Sequence, residues 1–295
     1  MNDVEPLQTL ADASQGQPVP LPEELRALYG PLRMPVHAGR PHVISAYVST
    51  IDGVVSLGPA ATMAPAALDA GISPGEIISG ASRADKMVLA LLHAVADVLL
   101  VGHTGIRGNP RDVRRAERIY PPLADAFRML RAALGKPAEL PVAVLSPDDD
   151  LDPSLPVFQV PGVRMAILTK EDTAPLLVER DFPPNVEVVA LPLRSDGTFS
   201  AAAVLAAVER FQHAELVLCN AGPRFMAHMI AERCLDEFFL TVAPQVAGRD
   251  GSSDRPGFVD GKVFAPTEPR GAELVSVKRA SNHLFLRYAL QVQEP

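Results

Sequence analysis

The amino-acid sequence predicts an α/β fold with a mainly parallel central sheet, helices on both faces and an antiparallel C-terminal edge. Three observations lead to this prediction. Short apolar segments typical of buried strands alternate with segments of helical periodicity through the middle of the chain. Proline and glycine, with 29 and 20 residues, separate these segments. Two strand-like segments in succession close the chain and would add an antiparallel pair to the sheet.

The composition indicates a globular protein and excludes some classes of ligand. Of the 295 residues, 47% are hydrophobic and 21% are charged, which is enough apolar material for a full core. The formal net charge is −8 at pH 7. This charge argues against nucleic-acid binding, because a phosphate backbone is recognised by clustered basic residues. A small anionic ligand needs only a local cluster and stays possible.

The sequence also predicts a cytoplasmic protein without a metal or a membrane partner. Two cysteines are too few for a disulfide framework or a CxxC metal site, and the histidines form no zinc-binding motif. The most apolar stretch, residues 87–102, is too short to span a bilayer and contains His93 and Asp97. The first residues lack the basic and apolar pattern of a secretory signal peptide.

The domain organisation follows from a change of pattern near residue 40. Residues 1–40 are expected to be a Pro-rich N-terminal extension with a short helix over residues 23–29. This extension either packs on the body of the protein or stays partly mobile. A single α/β domain is predicted over residues 41–292.

The first elements of this domain are a strand, a helix and a second strand. β-branched and aromatic residues predict a strand over residues 42–48, and the Asp-Gly pair that follows predicts a turn. Helical spacing of apolar residues predicts a helix over residues 82–96, with Ser82 as its N-cap. The continuous apolar run over residues 98–102 ends in glycine and predicts a buried parallel strand.

The alternation of helices and strands continues to the C-terminus. Further helices are predicted over residues 122–134, 201–211 and 224–233. Further strands are predicted over residues 142–145, 165–169, 186–191, 215–219, 237–242, 273–278 and 284–291.

Two strands are followed by glycine-containing loops that are candidates for phosphate binding. The loops are residues 102–110, GHTGIRGNP, and residues 220–224, NAGPR. Glycine lets backbone N–H groups approach an anion, and the second loop leads into a helix N-terminus with unpaired N–H groups. Neither loop has a GxGxxG or P-loop motif, and either one alone is as typical of a tight turn. Two such loops on one sheet favour a phosphate-rich ligand, because ligands bind beyond the carboxyl ends of parallel strands.

Ordered motifs carry a family resemblance. The N-terminal motifs are STIDG at residues 49–53, Ser79-Gly80 with Arg83 and Asp85, and ADVLLVG at residues 96–102 with Ile106-Arg107. The C-terminal motifs are NAGP at residues 220–223, LDE at residues 235–237, Ala243-Pro244, Gly248 and the closing strand pair. In this order, from about residue 40 to residue 290, the sequence resembles the reductase domain of riboflavin biosynthesis, which has a dihydrofolate-reductase-like three-layer α/β fold.

The resemblance implies an NADPH-dependent reductase, and a homodimer, that acts on a ribosylamino-pyrimidine phosphate by hydride delivery to the ribose C1′. The implied cofactor-binding residues are Gly102, Thr104, Gly105, Ile106, Arg107, Ser146, Thr169, Asn220, Ala221, Gly222, Pro223, Arg224 and Phe225, with Lys170 as a nearby charge. The implied substrate-facing residues are Thr50, Ser79, Arg83, Asn109 and Arg111. Asp52 is the candidate catalytic residue, and its alternative is a backbone role in the Asp-Gly turn.

Three positions depart from the family's pattern. Ala46 stands where the biosynthetic enzymes usually have a lysine, and Asn109 and Asn220 replace acidic residues. If that lysine polarises the substrate, its loss costs on the order of 10²–10³ in rate. Two alternatives therefore stay open. One is a dihydrofolate-reductase-like or orphan NADPH reductase with another heterocyclic substrate, and the other is a catalytically silent nucleotide-binding module.

Overall fold

A 10-stranded sheet forms the centre of the protein in the computed structural model, which describes residues 4–57, 74–108, 114–251 and 255–290. Its strands are β1 (Gln8–Asp12), β4 (His42–Ser49), β5 (Val98–Gly102), β6 (Val142–Leu145), β7 (Met165–Lys170), β8 (Val186–Leu191), β9 (Leu216–Asn220), β10 (Glu237–Val242), β11 (Ala272–Ala280) and β12 (His283–Leu290). They lie in the order β1-β11-β12-β10-β4-β9-β5-β6-β7-β8. Two short strands, β2 (Gln17–Pro18) and β3 (Arg33–Met34), form a separate pair.

The pairing directions confirm the predicted sheet. Every neighbouring pair from β10 across to β8 is parallel. The pairs β10 with β12, β12 with β11 and β11 with β1 are antiparallel. The sheet is therefore mainly parallel and ends in an antiparallel edge formed largely by the C-terminal hairpin.

Helices cover both faces of the sheet. They are α1 (Glu23–Tyr29), α2 (Pro74–Ile78), α3 (Arg83–Val95), α4 (His103–Gly108), α5 (Ala116–Ile119), α6 (Ala124–Ala133), α7 (Ala174–Val178), α8 (Ala201–Phe211) and α9 (Pro223–Ala231). In the part of the chain that the structure describes, none of them combines the length and the apolar character needed to cross a bilayer.

Alternating strand residues separate two hydrophobic cores. On β5, Leu99 and Val101 pack into the core that contains α3 and α6, whereas Val98 and Leu100 pack into the core that contains α8 and α9. This alternation follows from the period of two in a strand. Both faces are buried, so the strands are continuous apolar runs. The predicted three-layer α/β architecture is confirmed.

Most predicted elements agree with the structure to within one or two residues, and two differences have clear physical reasons. The helix expected over residues 122–134 begins as a 3-10 turn at Pro121–Leu123 and becomes α-helical only at Ala124, because the two prolines have no N–H to donate. The first glycine-containing loop was expected to be irregular, yet α4 occupies its first part. Ile106 is fully buried and fixes this short helix against the core.

The described part of the N-terminal extension packs on the body. β1 extends the sheet beside β11, and Leu25 of α1 is completely buried. The buried ammonium of Lys278 on β11 donates to Thr9 Oγ1 at 3.0 Å and lies 4.9 Å from the centre of the Tyr29 ring. The domain boundary at residue 40 stays a prediction.

A buried arginine caps the C-terminal end of α3. The Arg131 guanidinium, on α6, donates to the carbonyl oxygens of His93 at 3.3 Å, Ala94 at 3.2 Å and Ala96 at 2.9 Å, and its Nε donates to Pro137 at 2.7 Å. The last carbonyls of a helix have no partner within the helix, and a positive charge there also complements the helix dipole. This cap fixes the end of α3 at the point where β5 begins.

We predict that Arg131→Met lowers the free energy of unfolding by about 2–4 kcal/mol, because several buried carbonyl groups lose a charged donor. The measurement is urea unfolding followed by circular dichroism. Arg128→Met is the matched control, since Arg128 lies three residues away on α6, is exposed and pairs only with the exposed Asp125 in the described structure. It should change stability by less than about 0.5 kcal/mol. Equal effects of the two substitutions would contradict the capping role.

Candidate functional site

The candidate site is a crevice between β4 and β9. The two strands pair only over residues 42–44 of β4, although β4 continues beside β10 as far as Ser49. After residue 44 the backbone hydrogen bonds between β4 and β9 stop. The Asn220 side chain takes their place, and its Oδ1 accepts a hydrogen bond from the Ala46 N–H at 3.2 Å. The strands therefore separate at the carboxyl edge of the sheet, where parallel sheets bind ligands.

A cavity of about 520 Å³ lies at this crevice, on the face of the sheet covered by α3. This volume suits a small-molecule ligand. The residues that line it include Ala46, Asp85, Lys86, Leu89, Arg118, Asn220, Phe239, Thr241 and Phe285. The lining therefore combines aromatic and aliphatic surface with a few charged and polar groups.

The two predicted phosphate-binding loops meet beside the crevice. β5 and β9 are neighbours, and a Cβ atom placed on Gly102 would lie 3.6 Å from the backbone nitrogen of Gly222. Gly222 is also the N-cap of α9, and no described side chain caps that helix. Its first N–H groups and the positive end of its dipole therefore point out of the sheet edge, as at anion-binding helix termini.

The predicted cofactor residues of the first loop have different environments. Thr104 and Gly105 are exposed on α4, whereas the Ile106 side chain is fully buried in the core. Arg107 is half exposed and forms an ion pair with Asp150. Only the exposed residues of this group have side-chain or backbone surface that a ligand can contact.

The predicted residues of the second loop lie at the start of α9. Ala221 is buried, and its carbonyl oxygen accepts a hydrogen bond from the Tyr47 hydroxyl. Pro223 begins the helix, and Phe225 packs against the core below it. Arg224 is exposed and its Nε donates to Asp260 at 3.1 Å. The ion pair is solvent-exposed, so it holds Arg224 only weakly.

Ser146 and Thr169 are the predicted contacts of the adenosine 2′-phosphate. Both residues are completely buried, and the Ser146 hydroxyl donates to the carbonyl of Asp148 at 3.0 Å. In this conformation neither side chain reaches the surface. The half-buried Lys170, at the end of β7, lies 3.9 Å from the exposed Asp172 and is the next residue after Thr169.

The predicted substrate residues Ser79 and Arg83 do not line the cavity. Ser79 is buried and its hydroxyl donates to the Glu76 carbonyl at 3.2 Å, while Arg83 is exposed at the start of α3. Asn109 and Arg111 lie outside the described residues. Neither Ser79 nor Arg83 is part of the cavity lining described above.

Asp52 and Thr50 form the turn that follows β4. The Asp52 carboxylate accepts hydrogen bonds from the Thr50 hydroxyl at 2.6 Å, the Ala247 N–H at 3.0 Å and the Gly248 N–H at 2.8 Å. These bonds, that of Thr50 above all, hold the pKa of Asp52 well below its usual range. The carboxylate therefore ties the loop after β10 to the turn, and this geometry favours the structural alternative over a proton-donating role.

Asp85 is an ionisable residue of the cavity for which no role was predicted. It lies in the first turn of α3, and its N–H donates to the N-cap Ser82 at 3.3 Å. Loss of surrounding water raises the pKa of Asp85 to about 6, against the opposing effect of a hydrogen bond with Thr241. The spacing with the apolar Val88 and Leu92 already places Asp85 on the inward face of the helix, and this signal could have identified it.

Solved structures of low sequence identity share this fold. A pyrimidine reductase-like protein from Corynebacterium diphtheriae is 17% identical with a TM-score of 0.63, and the match covers 90% of this chain and 98% of that one. A bifunctional deaminase and 5-amino-6-(5-phosphoribosylamino)uracil reductase from Thermotoga maritima is 16% identical with a TM-score of 0.55, covering 85% and 57%. The riboflavin biosynthesis reductase Rib7 of Saccharomyces cerevisiae is 11% identical with a TM-score of 0.56, covering 88% and 93%.

Sequence comparison supplies the family. No curated protein sequence matches the chain. The family model of the RibD C-terminal domain, however, matches residues 41–283, which is most of the chain and includes both glycine-containing loops and most of the residues that line the cavity. The chain therefore belongs to the RibD C-terminal domain family.

Proposed function

We propose that this chain is an NADPH-dependent reductase that transfers a hydride to C1′ of a ribosylamino-pyrimidine phosphate. One observation carries the proposal. The two glycine-containing loops, which follow β5 and β9, meet beside a cavity that is lined by Asp85, an acid with a raised pKa. A reduction needs both a hydride carrier and a proton source. Membership of the RibD C-terminal domain family and the reductase names of similar structures support it.

The two glycine-containing loops fit the pyrophosphate of a dinucleotide. A Cβ atom on Gly102 would lie 3.6 Å from the backbone nitrogen of Gly222. Glycine at residue 102 therefore leaves this space open, so that phosphate oxygens can approach the backbone N–H groups. Gly222 presents the N-terminus of α9 to the same place. When bound there, the cofactor supplies the hydride. The protein's contribution is to hold the nicotinamide end towards the crevice between β4 and β9.

Lys170 is the candidate for recognition of the 2′-phosphate. The two residues implied by the family resemblance, Ser146 and Thr169, are buried. Lys170 is half-buried and lies at the same edge of the sheet as the two glycine-containing loops. Its one ion pair among the described residues is the 3.9 Å contact with Asp172. A lysine ammonium binds phosphate well as a point charge.

We predict that NADPH raises the melting temperature more than NADH, and that Lys170→Gln reduces this preference about tenfold in Kd, equivalent to about 1.4 kcal/mol. A ligand at 100 times its Kd adds about 2.7 kcal/mol of stability, which a thermal-shift titration resolves easily. Arg210→Gln, which removes an exposed charge at the C-terminal end of α8, is the control and should leave the preference unchanged. An unchanged preference in Lys170→Gln would place the 2′-phosphate elsewhere.

Asp85 is the candidate proton donor. Addition of a hydride to C1′ breaks the π bond between C1′ and its heteroatom, and the heteroatom takes that electron pair and must then accept a proton. With a pKa of about 6, the Asp85 carboxyl carries that proton in part of the molecules near neutral pH. The hydrogen bond with Thr241 orients it within the cavity. Asp52 cannot serve in this way because its low pKa keeps it ionised.

We predict that Asp85→Asn lowers kcat by 10²–10⁴, the usual contribution of a general acid, and leaves the Kd of NADPH unchanged. In the unmodified protein kcat/KM should fall as the pH rises above about 6, because the acid must be protonated, and this limb should disappear in the variant. Asp125→Asn changes a fully solvated carboxylate and is the control. A pH profile that is identical in Asp85→Asn and the unmodified protein would exclude Asp85 as the donor.

A second substrate class is favoured by one observation. Ala46 lines the cavity where the biosynthetic enzymes usually carry a lysine, so the sheet side of the cavity lacks that cation. A reductase of another heterocycle, such as a pterin, fits this lining. Comparison of kcat/KM for pyrimidine and pterin substrates distinguishes the two reductases. NADPH binding without oxidation across the whole panel would instead indicate the silent module.

A further inference from the structure

A cluster of two histidines and a carboxylate lies at the amino ends of β4 and β10, at the sheet edge opposite the crevice. We propose that His37, His42 and Asp236 bind a zinc ion. One ligand atom from each of the three residues lies within 4.8 Å of the others. Nothing in the proposed reductase chemistry uses these residues, so the site is independent of the proposed function.

Atoms of the three residues approach one another at distances close to those between neighbouring ligands of one metal ion. His37 Nε2 lies 3.0 Å from His42 Nδ1 and 3.3 Å from Asp236 Oδ1, and His42 Nδ1 lies 3.7 Å from Asp236 Oδ2. Tetrahedral zinc, with bonds of about 2.0–2.2 Å to nitrogen and oxygen, separates neighbouring ligands by about 3.3–3.5 Å. The two histidines approach different oxygens of Asp236, so ligation by one oxygen requires a modest movement of a histidine ring.

The protein holds two of the ligands rigidly and leaves the third accessible. His42 is 2% exposed as the first residue of β4, and Asp236, 4% exposed, directly precedes β10. The Val43 N–H donates to Asp236 Oδ2 at 2.7 Å and fixes the carboxylate. His37 is one-third exposed, so water can enter and complete the tetrahedron on that side. Two buried ligands, one partly exposed ligand and a water would form a site that an ion can reach.

Charged side chains adjoin two of the three residues. His42 Nε2, the nitrogen that faces away from the cluster, lies 3.6 Å from the buried Glu237 carboxylate. At this distance the carboxylate does not hydrogen-bond to Nε2, but its negative charge favours the tautomer with the proton on Nε2, which leaves Nδ1 free for a metal ion. Arg40 forms two hydrogen bonds with Asp236, at 2.8 Å to Oδ2 and 2.5 Å to Oδ1. Oδ2 also accepts from the Val43 N–H, so Oδ1 is the oxygen that retains a position for an ion. The 3.0 Å contact between His37 and His42 needs one N–H proton between the two rings, and zinc binding displaces this proton to the other nitrogen of its ring by a change of tautomer.

Zinc binding would link the segment before β4 to the start of β10. His37 belongs to the segment that leads from the N-terminal extension into β4, whereas Asp236 stands before β10. An ion between them joins this segment to the sheet by metal bonds in addition to the hydrogen bonds present without it. We therefore assign the site a structural role in fastening the extension to the domain.

The test uses the full chain without a histidine tag, treated with chelator and then titrated with ZnCl₂ in a calorimeter. We expect one zinc ion per chain and a rise in melting temperature with zinc. His37→Ala should weaken binding on the order of 100-fold, because a direct ligand is lost. His37 is partly exposed on a connecting segment, so this variant is expected to fold, which circular dichroism checks. His213→Ala removes a highly exposed histidine and is the matched control.

Cobalt(II) gives a second readout that depends on direct ligation. The unmodified chain loaded with Co²⁺ should show the intense visible absorption of tetrahedral cobalt, and His37→Cys should retain it and add a sulfur-to-cobalt charge-transfer band. Stoichiometry below one, equal zinc affinity of His37→Ala and the unmodified chain, or no charge-transfer band in His37→Cys would each overturn the proposal. These measurements need no reductase activity, so their outcome is independent of that of the activity assays.

Discussion

The separation of β4 from β9 is the constraint on which the candidate site depends. A parallel ladder that continued to the ends of both strands would close the sheet and fill the cavity. Ending the ladder exposes backbone donors, and a buried donor without a partner costs about 1–3 kcal/mol. The Asn220 side chain removes this cost by accepting from the Ala46 N–H, and the Tyr47 hydroxyl bonds to the Ala221 carbonyl across the gap. The crevice is thus held open by side chains that replace the missing ladder.

The N-terminal extension completes the cavity from the side of the antiparallel edge. Tyr29 of α1 lines the cavity together with Arg287 of β12. Arg287 forms a buried ion pair with Glu237 at 2.6 Å and lies over the Phe239 ring. A buried ion pair is stable only when both charges keep partners, and breaking one leaves an uncompensated charge. These contacts, and the β1 strand that covers the sheet edge, make the extension part of the structure that shapes the site.

The sequence predicted elements well where one physical signal dominates. Continuous apolar runs such as β5 and β6 have the predicted bounds, because a strand buried on both faces favours apolar residues throughout. The polar, exposed β1 was missed because its stability comes from pairing with β11, a contact distant in sequence.

The residues of the candidate site were harder to predict than the strands and helices. Burial of Ser146 and Thr169 depends on tertiary packing, and the unequal acidities of Asp52 and Asp85 depend on hydrogen bonds and solvent exclusion that only the fold creates.

The absence of a lysine at residue 46 and the raised pKa of Asp85 are physically consistent. Both residues line one cavity, so a lysine ammonium at position 46 would favour the ionised carboxylate and lower the pKa of Asp85. Alanine adds no charge, and desolvation then keeps the carboxyl partly protonated near neutral pH. Alanine at residue 46 is therefore compatible with the role of proton donor that we propose for Asp85. In the proposed reductase, protonation by this acid would take the place of activation by a fixed positive charge.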